Sequence, residues 1–154
     1  MFIKQSVFFL VLVMLTGCDL QNLRPDNNSK DLSEFMEVEK RANTAYQKED
    51  WATAEKEYLH LTRQIPAQSE PWFRLGNIYA RTNRLDAAVA TYREALVRDP
   101  NNSKIWHNLG IVQLRQATGT FIQVVDLTEE GDPLNSRGKH VVNSVTELLS
   151  SGFE

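Results

Sequence analysis

The chain has 154 residues, of which 42% are hydrophobic and 24% are charged, and its formal net charge is −3 at pH 7. That length and apolar content suit one folded domain, and a mildly acidic chain without a block of like charges excludes a typical nucleic-acid-binding protein. Cys18 is the single cysteine, so the chain forms no internal disulfide.

Residues 1–17 have the order of a targeting signal. Lys4 precedes a short apolar run from Val7 to Leu15, and two small residues follow that run. A charged start, a short apolar stretch and a small-residue site are typical of a secretory signal peptide, and the run is shorter than the ~20 residues that a membrane-spanning helix needs. We therefore predict that residues 1–17 are a cleaved signal peptide.

The end of this signal, Leu15-Thr16-Gly17-Cys18, resembles the bacterial lipobox, in which cleavage precedes a cysteine that receives acyl chains. The resemblance implies a lipidated Cys18 and a bacterial membrane-anchored lipoprotein facing the periplasm; an ordinary signal peptide with a chance cysteine is the alternative. In enteric bacteria, aspartate directly after the lipidated cysteine favours the inner membrane over the outer one, and Asp19 occupies that position. Residues 18–30 are polar and lack an apolar period, so we expect a tether.

Residues 31–66 have the spacing of a first helical hairpin. Asp31 and Glu34 resemble a capping box, Glu49-Asp50 predicts the turn, and Pro66 ends the second helix because proline cannot donate the next helical hydrogen bond. Apolar residues recur at helical spacing on both sides of the turn. They are Phe35, Val38, Ala42, Ala45 and Tyr46 before it and Trp51, Ala54, Tyr58 and Leu61 after it.

Residues 67–100 give the clearest hairpin, with its turn at Thr82-Asn83-Arg84. Gly76 and Ala88 are small, so the two helices can approach closely, while Trp72 and Tyr92 fill the space beside that contact. The apolar positions are Trp72, Leu75, Gly76 and Tyr79 on the first helix and Leu85, Ala88, Val89, Tyr92, Ala95 and Leu96 on the second.

Residues 101–133 begin as a third hairpin with Trp106, Leu109 and Gly110 and then lose the pattern. We predict a second helix over 120–127 because the first needs a partner, although the β-prone residues there leave a strand or irregular segment as the alternative. A loop is predicted over 132–139. Residues 134–154 then form a C-terminal amphipathic helix and tail, which either caps the stack or binds a partner.

These units repeat at a constant period of 34 positions, since Trp72 recurs as Trp106 and Pro66 as Pro100. The period and the W-x-x-L-G pattern resemble the tetratricopeptide repeat (TPR) over roughly residues 33–133. The matching positions are Trp72, Leu75, Gly76, Tyr79, Ala88, Tyr92, Ala95 and Pro100, with Ala42, Ala54 and Tyr58 in register in the first unit. The resemblance implies an all-α fold, a short α-solenoid of about three helical hairpins with a C-terminal capping helix.

No catalytic constellation stands out. His60, His107 and His140 lie on different predicted elements, and no pair has the spacing of a helical metal site. We therefore expect no enzyme activity, metal or cofactor; a convergent acid–base pair near His107 would argue the reverse.

The resemblance instead implies a concave groove lined by the first helix of each hairpin. Carried over to this sequence, the groove residues are Glu39, Asn43 and Tyr46, then Phe73, Asn77 and Ala80, then Lys104, His107, Asn108 and Ile111. Amides that bond a peptide backbone, with Phe73 and Tyr46 as anchors, suit an extended or helical peptide. Glu39 and Asn108 replace the lysine and arginine with which some members clamp a carboxylate, so that clamp is not expected. Solvated surface is the alternative for the polar residues.

The sequence thus predicts a scaffold or adaptor in the bacterial cell envelope that binds an envelope protein or peptide in its groove. Assembly of a pilus or secretion complex is one setting, and steering of peptidoglycan hydrolases is the alternative. A structural spacer with no groove ligand is the rival hypothesis. Three hairpins, one of them degenerate, are near the minimum for stability, so the open end of the stack favours self-association. No nucleic-acid partner is expected.

Overall fold

Six helices follow one another in the computed structural model, which describes residues 27–151. They are α1 (Asn27–Gln47), α2 (Trp51–Gln64), α3 (Ser69–Arg81), α4 (Leu85–Arg98), α5 (Ser103–Leu127) and α6 (Pro133–Ser151). Each helix packs on the next in chain order, and α3 also touches α5. Residues 27–151 contain no strand. The predicted all-α solenoid is confirmed, whereas the signal peptide and Cys18 lie outside the described residues.

The first two hairpins turn in the same way because one residue in each adopts a left-handed backbone. Glu49 has φ 57°, and Asn83, its equivalent in the next repeat, has φ 59°. Beyond them, Asp50 N donates to Ala45 O at 2.9 Å and Arg84 N to Tyr79 O at 2.8 Å, which closes the preceding helix. Both predicted turns are confirmed.

This turn gives a prediction, because asparagine tolerates the left-handed region better than glutamate does. Glu49→Asn should raise the free energy of unfolding by about 0.5 kcal/mol in urea denaturation. The ion pair of Glu49 with Arg81 is 4.0 Å long and exposed, so its loss costs little. The same replacement at the exposed helical residue Glu34 should have the opposite sign, since asparagine is a poorer helix former. A loss of stability at Glu49 would contradict the prediction.

The core lies between the helices of the first two hairpins and the start of α5. One cluster joins α1, α2 and α3, and a second joins α4 to the first turns of α5. The largest fully buried side chains are Tyr92, Leu61, Leu75, Ile78, Ile105 and Val112. The burial of this apolar face is what holds the solenoid together.

Two predictions about the start of the domain are wrong. Helix α1 begins at Asn27, so residues 27–30 of the predicted tether are helical, and Asp31 lies inside the helix rather than at a capping box. The polar sequence Asn27-Asn28-Ser29 has residue types that favour a helix start, which allows α1 to extend beyond its apolar face.

The third hairpin also differs from the prediction. Helix α5 runs without a break from Ser103 to Leu127, so no turn separates a second helix over 120–127. A single glycine costs a helix only about 1 kcal/mol, so Gly119 does not end it. Pro133, whose ring suits a first helical position, starts α6 inside the predicted loop.

Helix α6 is therefore the second half of this hairpin rather than a separate cap. A Cβ added to Gly138 would lie 2.9 Å from Val125 Cγ2, so this glycine permits the close approach of α6 to α5. Asn135, which is buried, joins the same two helices by donating from Nδ2 to Val125 O at 3.0 Å.

Candidate groove between the first helices of the hairpins

A depression of about 330 Å³ lies along α3 and α5, with one lining side chain each from α1 and α4. Its lining residues are Tyr46 from α1, Asn77, Ala80 and Arg81 from α3, Tyr92 from α4, and Asn108, Ile111, Val112 and Arg115 from α5. It brings together five groove residues that the sequence predicted. The buried Tyr92 and Val112 form its floor.

A hydrogen-bond network fixes the two asparagines of the depression. Tyr92 Oη donates to Asn77 Oδ1 at 2.7 Å, and Asn108 Nδ2 donates to the same oxygen at 2.8 Å. The side-chain oxygen of Asn77 thus accepts two hydrogen bonds, while the Nδ2 group of Asn77 can still donate. Asn108 keeps its own Oδ1 as an acceptor. The pair therefore presents one donor and one acceptor, which can bond a carbonyl and an N–H group of an extended peptide backbone.

The same pairing recurs in the first hairpin. Tyr58 Oη donates to Asn43 Oδ1 at 2.7 Å, and these two residues are the equivalents of Tyr92 and Asn77 in the preceding repeat. Tyr58 is buried, whereas Asn43 is exposed. Each tyrosine thus anchors an asparagine of the preceding helix, and Asn43 extends the row of amides beyond the depression.

Three arginines border this side of the solenoid, and two of them also pair with glutamates, Arg74 with Glu70 at 2.7 Å and Arg81 with Glu49 at 4.0 Å. Arg74 lies over the Tyr46 ring at 5.1 Å, and Arg81 lies over the Trp51 ring at 5.5 Å. Arg115 donates to Ala80 O at 2.9 Å and to Asn83 Oδ1 at 3.1 Å. These contacts hold the cations at the rim, where a carboxylate on a ligand would meet them.

Sequence reasoning missed four residues that line the depression, Arg81, Tyr92, Val112 and Arg115. The two arginines are one repeat period apart, so their recurrence on the first helices was a usable signal. Tyr92 was assigned to packing only. The same spacing from asparagine to tyrosine repeats in both hairpins and indicates that each tyrosine also positions an asparagine of the groove.

Besides Asn43, four predicted residues lie outside the depression. Phe73 is half-buried and packs on the Tyr92 ring, with centroids 6.2 Å apart, within the second core cluster. Glu39 and Lys104 are exposed and do not line the depression. His107 lines a separate shallow surface with Trp106, Gly110 and Leu114. Only Ile111 borders both surfaces.

Burial shifts the acidity of both anchoring tyrosines. Desolvation raises the pKa of Tyr58 from 10.0 to about 12, with the cation of Arg74 acting in the opposite direction. Desolvation also raises the pKa of Tyr92. In each case the folded chain favours the neutral phenol, which is the form that donates to the asparagine.

This shift predicts alkaline unfolding. Between about pH 10 and pH 12, the unfolded chain loses the Tyr58 proton while the folded chain keeps it, so the free energy of unfolding falls as pH rises. The contribution is fully present below the unfolded pKa. Urea denaturation across this range should show a smaller decline for Tyr58→Phe than for the unaltered chain. Equal declines would contradict the assignment.

The lining of the depression is suited to binding a ligand. Within residues 27–151, no cluster of three His, Cys, Asp or Glu side chains could hold a metal ion. Over the same stretch, no helix combines the length and apolar character required to cross a membrane. The depression offers amide, guanidinium and apolar groups, which can recognise a peptide chain.

Comparison with known proteins supports the repeat. A family model described as the TPR repeat matches residues 76–116, which run from the middle of α3 through α4 to the middle of α5. The matched segment contains Asn77, Tyr92, Asn108 and Arg115. No curated protein matches the chain.

Proposed function

We propose that this chain, which contains a tetratricopeptide repeat at residues 76–116, serves as a membrane-anchored scaffold that binds an envelope protein in the depression between α1, α3 and α5. The repeat is a protein-interaction module. The observation that carries the proposal is the polarised amide pair, in which the doubly occupied Asn77 oxygen leaves a donor beside the Asn108 acceptor.

The groups of the depression support a ligand of defined chemistry. Asn77 Nδ2 and Asn108 Oδ1 suit the carbonyl and N–H of an extended peptide. The guanidinium groups of Arg81 and Arg115 suit an acidic side chain, and Ile111 with Tyr46 offers an apolar surface for a neighbouring one. We therefore expect a peptide segment that carries at least one carboxylate next to an apolar residue.

The positive rim also gives the interaction a dependence on salt. Arg81 is exposed, and charges at such a rim act mainly on the association rate and are screened by salt. This site differs from the carboxylate clamp of other repeat proteins, because Glu39 and Asn108 stand at positions where that clamp has cations.

Affinity capture of the full chain from detergent-solubilised envelopes tests the groove. Asn77→Ala and the double change Arg81→Gln/Arg115→Gln should each lose the partner, since they remove the donor or the cations. Arg63→Gln is the matched control, because Arg63 is an exposed arginine on α2 at a surface away from the depression. Capture that is the same in all variants would contradict the proposal. Capture of no protein by the unaltered chain would favour the spacer hypothesis.

The anchor is a separate part of the proposal and rests on the motif at residues 15–18, outside the described residues. We expect acyl chains on Cys18 to hold the scaffold at the membrane, at the inner one if Asp19 acts as a retention signal. Cys18→Ser should leave an unlipidated and uncleaved precursor in mass spectrometry of the purified protein. Normal processing of that variant would contradict the anchor without affecting the groove.

The identity of the captured partner would assign the scaffold to a cellular pathway. A captured pilus or secretion-system component would assign the scaffold to the assembly of that machine, and a captured peptidoglycan hydrolase would assign it to cell-wall remodelling. The variants of Asn77, Arg81 and Arg115 tell whether that partner uses the groove.

A further inference from the structure

Uncharged residues recur at every seventh position along both helices of the third hairpin. They are Trp106, Gln113, Thr120 and Leu127 on α5 and Leu134, Val141 and Leu148 on α6. We call this set the heptad stripe. A spacing of seven keeps the members of this set on one face of each helix, because seven residues are close to two helical turns.

The heptad stripe is largely exposed. The exposed fraction is 55% for Trp106, 83% for Leu127, 53% for Leu134 and 54% for Leu148. Gln113 and Thr120 are also exposed, and Val141 is half-buried. Large apolar side chains in one exposed row on two adjacent helices are more than the scattered exposure expected of a surface.

The hairpin that carries the stripe does not complete a core of its own. Among the described elements, α6 packs on α5 alone. Within residues 30–150, no apolar side chain after Val112 is fully buried. A pair of antiparallel helices is half of a four-helix bundle, and a second pair is what buries such a face.

The charges near the two ends of the stripe are opposite. Arg93 borders the depression that contains Trp106 and Gln113, at the base of the hairpin. The tip of the hairpin carries four acidic residues, Asp126, Glu129, Glu130 and Asp132, of which Glu130 pairs with Lys139 at 3.6 Å. Between Ser103 and Val125, α5 has no acidic residue. An antiparallel copy of the same hairpin would place its acidic tip beside Arg93 and its uncharged centre against the uncharged centre of the first copy.

We propose that the heptad stripe binds the heptad stripe of a second copy of this chain, so that two α5–α6 hairpins form an antiparallel four-helix bundle. In a dimer with twofold symmetry, the contact between the tip of one hairpin and the base of the other occurs twice. Asn77 and Arg81 do not belong to the stripe, so the dimer presents two grooves. Two grooves on one membrane-bound dimer would bind a repetitive or oligomeric partner through avidity.

Sedimentation equilibrium of the full chain in a density-matched detergent tests the interface. The unaltered chain should have twice the mass of a single chain. Leu127→Glu/Leu134→Glu should raise the dissociation constant by at least about tenfold, because it places carboxylates in an apolar contact. Met36→Glu, at a 60% exposed apolar residue on α1, should leave the dimer intact. A monomeric unaltered chain, or dissociation by Met36→Glu alone, would overturn the proposal.

A charge exchange tests the antiparallel orientation. Arg93→Glu should be monomeric because the acidic tip of each hairpin would face an acidic base. Glu129→Lys/Glu130→Lys should be monomeric because a basic tip would face the basic Arg93. An equimolar mixture of the two variants should form a heterodimer, since each tip then meets a base of opposite charge. Circular dichroism of each variant should match the unaltered chain, because all three residues are exposed. A mixture that stays monomeric would overturn this arrangement.

Discussion

Tyr92→Ala is expected to lower the free energy of unfolding by about 4 kcal/mol, within the range for truncating a buried aromatic residue. Tyr92 is only 1% exposed and belongs to the second core cluster. Its ring packs on Phe73 and fills the space that Gly76 leaves. The truncation would open a cavity between α3 and α4 and also remove the donor to Asn77. Urea denaturation followed by circular dichroism measures the loss.

Two comparisons separate these effects. Tyr92→Phe keeps the ring and removes the hydroxyl, so it should cost only about 1 kcal/mol while loosening Asn77 in the groove. Trp106→Ala truncates a larger but exposed ring and should cost less than Tyr92→Ala. If Trp106→Ala were the more damaging change, the assignment of the core to α3 and α4 would be wrong.

Gly76→Ala is the second change with a large expected effect. A Cβ at residue 76 would stand 2.6 Å from Cδ1 and Cε1 of Tyr92, which is closer than side chains tolerate. Since the Tyr92 ring is enclosed, the helices must separate. The overpacking should lower the free energy of unfolding by about 2 kcal/mol, even after the gain in helix propensity.

Gly110→Ala is the matched control, because Gly110 is the equivalent residue in the next repeat. No atom lies within 4 Å of a Cβ added there. This replacement should therefore raise the free energy of unfolding by about 0.5–1 kcal/mol through helix propensity alone. Thermal melts of both variants give the comparison. A stabilised Gly76→Ala, or a Gly110→Ala destabilised as much as Gly76→Ala, would contradict the packing described for α3 and α4.

The sequence was most informative where the repeat is regular. The constant period of the repeat, the small residues at Gly76 and Ala88 and the two turns predicted the first two hairpins, because each of these features is set by contacts within one unit. The third hairpin was harder, since the hallmark Trp106 and Gly110 recur without the contacts that accompany Trp72 and Gly76. Matching residues therefore predicted helix α5 but not its length.

The surroundings of the two tryptophans show the physical reason. Trp72 is covered by the guanidinium of Arg98 at 4.3 Å. The residue one repeat period after Arg98 is Asp132, which lies beyond the lengthened α5 and accepts a hydrogen bond from Leu134 N at 2.7 Å at the start of α6. Trp106 lacks that cover and is 55% exposed. The sequence pattern shows where a tryptophan occurs. Whether that tryptophan is buried depends on a residue of a different helix.

Part of the groove could be predicted from the family positions. Tyr46, Asn77, Asn108 and Ile111 meet because their helices stack in register at one depression. The twofold use of the Asn77 oxygen could not be predicted, because it depends on the distance between α3, α4 and α5 after packing. The same packing places Phe73 against Tyr92, which turns a predicted anchor into a core residue.

The central claim is that the depression between α1, α3 and α5 binds a protein, and site-specific photo-crosslinking in native membranes tests it most directly. A photoreactive residue at Ile111, on the wall of the depression, should form an adduct with a partner protein. The same residue at His60, which is exposed on α2 at a different surface, should not. An adduct from His60 and none from Ile111 would contradict the account, because the partner would then bind away from the groove.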